Sequence, residues 1–285
     1  METVEFYRPD GRGLQIEIIK YRSDDSLRNK MPERHRHNFH SIFFIQEGYS
    51  EQEVDFESYS IHENQVMIIP KGAVHWEKKV QNLAGYTILF TDDFFSIPQK
   101  RLLDGFLQYT VALRKLLIPL DENTLKPISL YFELLEQEQE DVGNQNQIFL
   151  LQNLMLALLN KLEGLVQNLP EIHSFVSTRK PFQQFISLLE NNFHKQEHKL
   201  DFYASELKMT KRKLNEVTKR ITGQTASNVI IDRIIIEAKR ELCFSEKSIK
   251  EIAFALGYES QYYFSRIFKK KTGMNPEQFR IQHAL

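Results

Sequence analysis

Three histidines in the first third of the chain are residues that could bind a metal ion or a small ligand. His35 and His37 are separated by one residue, and His75 follows further along. Imidazole nitrogens are common ligands of divalent metal ions and also good hydrogen-bond partners. Near the His35 and His37 pair, segment 38–43 holds no carboxylate that could complete a metal site, and His40 is the only candidate substitute. We therefore expect no metal ion here, and we expect the histidines to hydrogen-bond either a small effector or neighbouring groups.

The region around these histidines is predicted to be β-rich. Its candidate strands are bounded by turn residues and lie near Leu14–Tyr21, His40–Gln46, Val66–Ile69 and Tyr86–Phe90. Turns are predicted at Glu47-Gly48 and at Pro70-Lys71-Gly72. Many short strands with this punctuation favour a barrel or jelly roll. His75-Trp76 is the predicted pocket, since it pairs a polar group with an aromatic wall.

A self-repeat lies near the C-terminus. Residues 210–223 are echoed fifty residues later by residues 260–273. Each copy starts with a hydroxyl residue that can cap a helix, carries apolar residues at the fourth and seventh positions after it, and ends with a basic pair and a glycine. Each copy therefore predicts a short amphipathic helix with a basic outer face.

A second helix is predicted before each repeat copy. Residues 202–207 match residues 251–256, and Ser248-Ile-Lys-Glu251 forms a capping box before the second of them. Helix, tight turn and helix make a helix-turn-helix unit, which in DNA-binding proteins places its second helix in the major groove. The alternative is a helical hairpin array without a nucleic-acid role, which two copies that share a basic face disfavour.

The residues from Ile249 to Arg280 resemble the signature of AraC/XylS-type transcription regulators. The stretch includes Ile252-Ala253, Leu256-Gly257-Tyr258, Phe264-Ser265-Arg266 and Pro276. The resemblance covers residues 181–285, including the first repeat copy and a linking helix marked by Arg233, Ala238 and Leu242. It implies two helix-turn-helix units that read double-stranded DNA.

The resemblance also implies which residues meet DNA. Those expected to face the bases are Arg212, Asn215 and Glu216 in the first unit, and Gln261, Tyr262, Ser265 and Arg266 in the second. Their side chains suit base edges, as in the pairing of Arg with guanine. Those expected near phosphates are Lys211, Lys213, Lys219, Lys269 and Lys270.

The N-terminal part is similar to the small cupin barrel with which regulators of this family sense effectors. The similarity rests on His35-Arg-His37, Gly48, Ile69-Pro70-Lys-Gly72 and His75. It implies an effector site at His35, His37, His75 and Trp76. Metal-binding cupins place a glutamate shortly after the second histidine, and this chain lacks one there.

A helical segment is predicted between the two parts, at Leu102–Leu117, Leu130–Gln139 and Gln147–Val166. In the last helix, apolar residues alternate at spacings of three and four, as in the seam of a coiled coil. The predicted seam consists of Ile148, Leu151, Met155, Leu158 and Leu162. The alternative is that this helix is purely core. The family resemblance favours a homodimer.

Charge divides the chain in the same way. Residues 181–285 carry 18 Lys and Arg against 12 Asp and Glu, whereas the whole chain carries 37 against 38. The C-terminal part is thus basic and the rest acidic, as expected if only one part meets a polyanion. A single cysteine excludes an internal disulfide framework. With no apolar run of membrane-spanning length and no leader, we expect a cytoplasmic protein and no membrane contact.

These patterns predict an α+β multidomain protein. We expect a cupin-like β-barrel over residues 1–100, a helical dimerisation segment packed on it over 101–170, a linker over 171–180 and an all-α double helix-turn-helix over 181–285. The predicted function is sequence-specific, effector-modulated transcription regulation, with activation and contact to RNA polymerase implied by resemblance. We expect no cofactor and no enzymatic reaction. The alternatives are a metal-cupin enzyme fused to a DNA-binding tail and a regulator without a small effector.

Overall fold

The computed structural model describes residues 3–4, 16–22, 34–95, 116–141, 143–167, 176–193 and 198–283. The chain divides into two compact units, one ending at Leu169 and the other starting at Pro170. The first unit combines a sheet with helices, and the second is helical over its described residues. The predicted α+β multidomain class is confirmed.

The N-terminal unit is built on a largely antiparallel sheet. Its described strands are β1 Thr3–Val4, β2 Ile16–Tyr21, β3 His35–His37, β4 His40–Val54, β5 Glu57–His62, β6 Gln65–Ile69, β7 Val74–Phe90 and β8 Leu117–Pro119. The long strands β4 and β7 pair with each other in the centre. The first part of β4 also pairs with β6 and its last part with β5. The first residues of β7 also pair with β3 and its last residues with β2. The sheet formed by these strands is not closed, but it is compatible with the predicted cupin-like barrel.

The central strand pair bends at two glycines. The predicted turn at Glu47-Gly48 is wrong, because β4 continues through it with irregular register from Ile45 to Tyr49. Gly48 has φ +86°, and a Cβ there would collide with the Asn82 carbonyl oxygen. Gly85 has φ +155°, and its Cβ would collide with the Phe44 carbonyl oxygen. Such irregularities bend a strand without ending it, so the predicted short strands become halves of longer ones.

Two helices cover the sheet, α1 Glu122–Glu140 and α2 Gln147–Gln167. α1 starts earlier than the predicted Leu130–Gln139, because Asp121 and Thr124 form a reciprocal capping box. The Gln139 side chain donates to the Ile18 carbonyl and accepts from the Ile18 N–H, which joins α1 to β2. The predicted helix Leu102–Leu117 lies mostly outside the described residues, and Leu117 begins β8.

The predicted dimer seam of α2 lies inside its own unit. Leu151, Met155, Leu158 and Leu162 are fully buried, whereas Ile148 is 52% exposed. The prediction that these four buried residues meet a second chain is therefore wrong, since they pack within the protomer. Among the described residues, α2 is long and apolar enough to cross a membrane, contrary to expectation. Its fully buried stripe is that of a core helix.

The C-terminal unit contains helices throughout its described residues. They are α3 Val176–Asn192, α4 Leu200–Glu206, α5 Lys211–Thr222, α6 Ala226–Phe244, α7 Ile249–Ala255, α8 Gln261–Thr272 and α9 Pro276–His283. Residues 176–180 of the predicted linker are helical and begin α3, while 171–175 lie outside the described residues. The core is aromatic, with full burial of Phe182, Phe185, Tyr203, Phe264 and Phe268.

The bend of the central strands gives a stability prediction. Gly85→Ala should destabilise the N-terminal unit by at least about 2 kcal/mol, because the residue combines positive φ with a backbone collision. Gly164→Ala in α2 is the matched control: its Cβ meets nothing within 4 Å, and it should stabilise by about 0.5–1 kcal/mol. Denaturant unfolding followed by fluorescence of Trp76, the single tryptophan, measures both. Equal stability of the two variants would contradict the proposed bend.

Candidate nucleic-acid interface and histidine cluster

The two repeat copies form two helices of the same construction, α5 and α8. Thr210 caps α5 by accepting from the Lys213 N–H, and Gly223 ends it with φ +72°. Ser260 caps α8 by accepting from the Tyr263 N–H, and Gly273 ends it with φ +82°. The caps and stops predicted from the sequence are thus present in both copies. With α4 and α7 in front of them, these helices complete two helix-turn-helix units.

Each of these helices is buried on one face only. Leu214 and Val217 of α5, and Phe264 and Phe268 of α8, are buried. α6 contacts α5 and α8 as well as α7 and α9, so it lies between the two helix-turn-helix units. The opposite faces are exposed and carry the predicted phosphate contacts, Lys211, Lys213, Lys219, Lys269 and Lys270.

In α5, several predicted DNA contacts already have partners. Lys211 pairs with Asp201 at 2.7 Å. Glu216 pairs with Arg220 at 2.8 Å and with Lys213 at 3.6 Å. These pairs are exposed and hence weak, so a DNA phosphate can compete for the cations. Glu216 is thus an acidic side chain among the basic side chains of α5.

Asn215 has a structural role that the sequence did not reveal. Its side-chain oxygen accepts from the Ala226 N–H at 3.0 Å, at the first residue of α6. The equivalent pair in the second copy is Ser265 and Pro276, and proline has no N–H to donate. That Asn215 faces a base through its NH₂ group stays a prediction, since the bond to Ala226 uses only the side-chain oxygen. Ser265 makes no equivalent bond, because Pro276 has no N–H.

The outer face of α8 is aromatic and cationic. Tyr262 is 79% exposed, and Gln261 and Arg266 are also exposed. The Arg266 guanidinium lies 5.3 Å from the centre of the Tyr263 ring, a cation–π contact that orients it. Tyr263 was missed by the sequence argument, although its position three residues before Arg266 on a helix is the signal that finds it.

The three histidines come together inside the N-terminal unit. His35 of β3 lies opposite His75 of β7, and both are buried with His37. One ring nitrogen of each lies within 4.8 Å of the others, and the Nε2 atoms of His35 and His37 are 2.9 Å apart. Burial lowers the pKa of His37 to about 3 and lowers that of His75 well below its usual range. Both imidazoles are thus neutral at physiological pH.

Two other predicted participants lie elsewhere. The His40 Nε2 is 2.9 Å from the Asp92 carboxylate, and its Nδ1 accepts from the Lys71 N–H. It is therefore no substitute ligand for the cluster. The Trp76 ring lies between two cations instead, 5.1 Å from Arg34 and 5.2 Å from Lys78. Trp76 follows His75 in β7, and adjacent strand residues point to opposite faces.

Gln52 is the neighbour of the cluster that sequence reasoning missed. It is buried, and its side-chain oxygen lies 2.9 Å from the His75 Nε2. It lies in the part of β4 beyond Gly48, where the expected turn would have ended the strand. Only the prediction of one continuous strand through Gly48 would have placed Gln52 next to His75.

A separate open groove of about 580 Å³ lies at the bend of the sheet. Its walls include Lys20, Arg22, Gln46 and Asn82, with Gly85 beneath. None of the four predicted effector residues lines it. A hydrogen bond that Lys20 donates to the Tyr86 hydroxyl raises the pKa of Lys20, and so does its ion pair with Glu136 at 3.1 Å.

Comparison with known proteins agrees with the geometry of the C-terminal unit. Residues 203–282 match the family model of a helix-turn-helix domain. The chain is similar to the HTH-type transcriptional activator RhaS of Mannheimia succiniciproducens, at 32% identity over 37% of this chain and 39% of that protein. It is similar to RhaS of Escherichia coli O1:K1 at 23% identity over 98% of this chain and 96% of the relative.

Solved structures that the chain is similar to include ToxT from Vibrio cholerae O395, at 15% identity over 94% of this chain and 98% of that one, with a TM-score of 0.42. The DNA-binding domain of AdpA in complex with a target DNA matches at 20% identity over 36% of this chain and 91% of that one, with a TM-score of 0.34. The duplicated motif, its capped and exposed helices, and the match at residues 203–282 lead to one conclusion. The chain contains a C-terminal helix-turn-helix domain and is similar to HTH-type transcriptional activators over nearly its whole length.

Proposed function

We propose that this regulator recognises specific DNA sites by placing α5 and α8 in successive turns of the major groove. The observation that carries the proposal is the pair of exposed, basic, identically capped helices in one unit. α6 between them has 19 residues, which corresponds to a length of about 28 Å. Groove segments on one face of B-DNA repeat about every 34 Å, so this spacing plus the width of the units suits one chain.

Sequence reading falls mainly to α8. Arg266 is our principal base-reading residue, because it is exposed and held by Tyr263, and arginine can form two hydrogen bonds to guanine. Gln261, Tyr262 and Ser265 complete the set on α8, and Arg212 and Glu216 form the smaller set on α5. The lysines of both helices, Lys211, Lys213, Lys219, Lys269 and Lys270, contact phosphates and supply the salt-dependent part of the affinity.

The N-terminal unit acts as the sensor in this proposal. The groove at the bend of the sheet has the volume of a small-molecule site, and its basic residues suit an acidic effector. An effector that binds one arrangement of the regulator better than another shifts the population toward it and changes how the helices are presented. The relatives from Mannheimia succiniciproducens and Escherichia coli are transcriptional activators, so we propose activation, with RNA polymerase as a partner in the cytoplasm. We propose no enzymatic reaction.

The regulator works as a homodimer in this proposal, through an apolar surface that shares only Ile148 with the predicted seam. Large apolar side chains are exposed on α1 and at the start of α2, two helices that pack against each other. They are Leu130, Leu134, Ile148, Phe149 and Leu150, with Phe149 the most exposed at 63%. A second copy that covers this apolar face would remove it from water.

DNA binding is tested with Arg266→Ala and with a charge-matched control. Arg266→Ala should weaken binding to the protein's own upstream DNA by about tenfold to a hundredfold, the range for losing one arginine–guanine pair. Lys247→Ala removes the same charge at a residue that lies outside α5 and α8 and is paired with Glu241, and it should change the affinity little. Footprinting and titration at two salt concentrations measure both. Equal losses in the two variants, or equal losses on unrelated DNA, would reject sequence reading by Arg266.

The dimer surface is tested with Phe149→Glu. The wild-type chain should have the mass of a dimer in light scattering, and Phe149→Glu should shift it to a monomer because it places a charge on the apolar face. Asn160→Glu, at an exposed position further along α2, should remain dimeric. A monomeric wild type, or a dimeric Phe149→Glu variant, would overturn this surface.

A further inference from the structure

The buried histidine cluster has no part in reading DNA. We propose that His35, His37 and His75, together with Gln52, bind one divalent transition-metal ion inside the N-terminal sheet. The site replaces our sequence-based expectation of no metal, because the structure supplies a fourth ligand that the sequence argument lacked.

The spacing of the nitrogens is the first argument. Two ligands on one ion at metal–nitrogen distances near 2.05 Å are separated by about 2.9 Å in octahedral and about 3.3 Å in tetrahedral geometry. The Nε2 atoms of His35 and His37 lie 2.9 Å apart, and a ring nitrogen of His75 lies within 4.8 Å of both. A small movement of one side chain completes a three-histidine face.

The orientation of Gln52 is the second argument. Its side-chain NH₂ donates to the Ser50 hydroxyl at 3.2 Å and to the Glu77 carboxylate at 3.4 Å. These two acceptors fix the amide so that its oxygen faces the cluster, 2.9 Å from the His75 Nε2. This separation is again that of two ligands on one ion. Support of a ligand by such neighbours is typical of metal sites.

The ligand set indicates which ions suit the site. Three imidazole nitrogens and one neutral amide oxygen are borderline ligands that favour Zn²⁺, Co²⁺ or Ni²⁺, whereas Ca²⁺ and Mg²⁺ prefer sets of oxygens. The ligands come from three strands, with His35 and His37 on β3, Gln52 on β4 and His75 on β7. The ion would therefore tie the short strand β3 to the central strand pair and stabilise the N-terminal unit.

The experiment uses the full chain, stripped with chelator and titrated with Co²⁺, whose visible absorption reports coordination by nitrogen. We expect one Co²⁺ per chain, displaced by one Zn²⁺, and a rise in the unfolding temperature with either ion. His75→Ala should weaken binding by at least about a hundredfold, since it removes a ligand rather than a supporting neighbour. His62→Ala, at an exposed position of β5, should bind as the wild type does.

Gln52→Glu keeps the experiment decisive should His75→Ala fail to fold. This variant supplies a carboxylate in place of the amide oxygen and should bind Co²⁺ at least as tightly as the wild type. Binding well below one ion per chain by the wild type, or equal binding by the wild type and His75→Ala, would overturn the proposal. Because the readout involves no DNA, failure here leaves the proposed DNA recognition standing, and failure of the footprint leaves the metal site standing.

Discussion

The ion pair between Arg233 of α6 and Glu190 of α3 is the contact on which the C-terminal unit depends. The Arg233 Nε lies 2.8 and 3.0 Å from the two carboxylate oxygens, and the guanidinium also covers the Phe193 ring at 3.8 Å. Both side chains are largely buried. Removing Arg233 would leave the Glu190 carboxylate largely buried without this partner, which is more costly than the loss of an exposed pair. α5 packs on α3 and α6, so its position follows from this contact.

From α6, the same constraint extends to the second helix-turn-helix unit. α6 contacts α7, α8 and α9, and the Arg280 side chain of α9 donates to the carbonyls of Leu242 and Lys247 around the end of α6. One helix thus fixes the spacing of two recognition surfaces. The two surfaces differ: Glu216 of α5 and Arg266 of α8 occupy the same position of the repeat with opposite charge. In the proposed mode of binding, opposite charges at one position would favour different bases, so the two half-sites need not be alike.

The parts of the structure that could be predicted are those set by local signals. The caps at Thr210 and Ser260 and the stops at Gly223 and Gly273 depend on residues within one or two helical turns. The features that were missed or wrongly predicted depend on a partner that is distant in the sequence. Asn215 serves an N–H eleven residues away, and the apolar stripe of α2 shows burial but not which chain covers it. Gly48 signals either a turn or a bulge, and only the pairing of β4 with β7 decides between them. The neighbourhood of Gln52 and His75 was hidden for the same reason.

The proline at the start of α9 has a consequence for how the two halves of the repeat can change. In the first copy, Asn215 holds the first N–H of α6, so a substitution there would loosen the spacer that both units share. In the second copy, Pro276 has no N–H, so Ser265 at the equivalent position has no such hydrogen bond to make. Position 265 can therefore accept new side chains at little risk to folding. Substitutions that change the preferred DNA site should therefore accumulate in the second copy, because in the first copy Asn215 is also needed to hold α6.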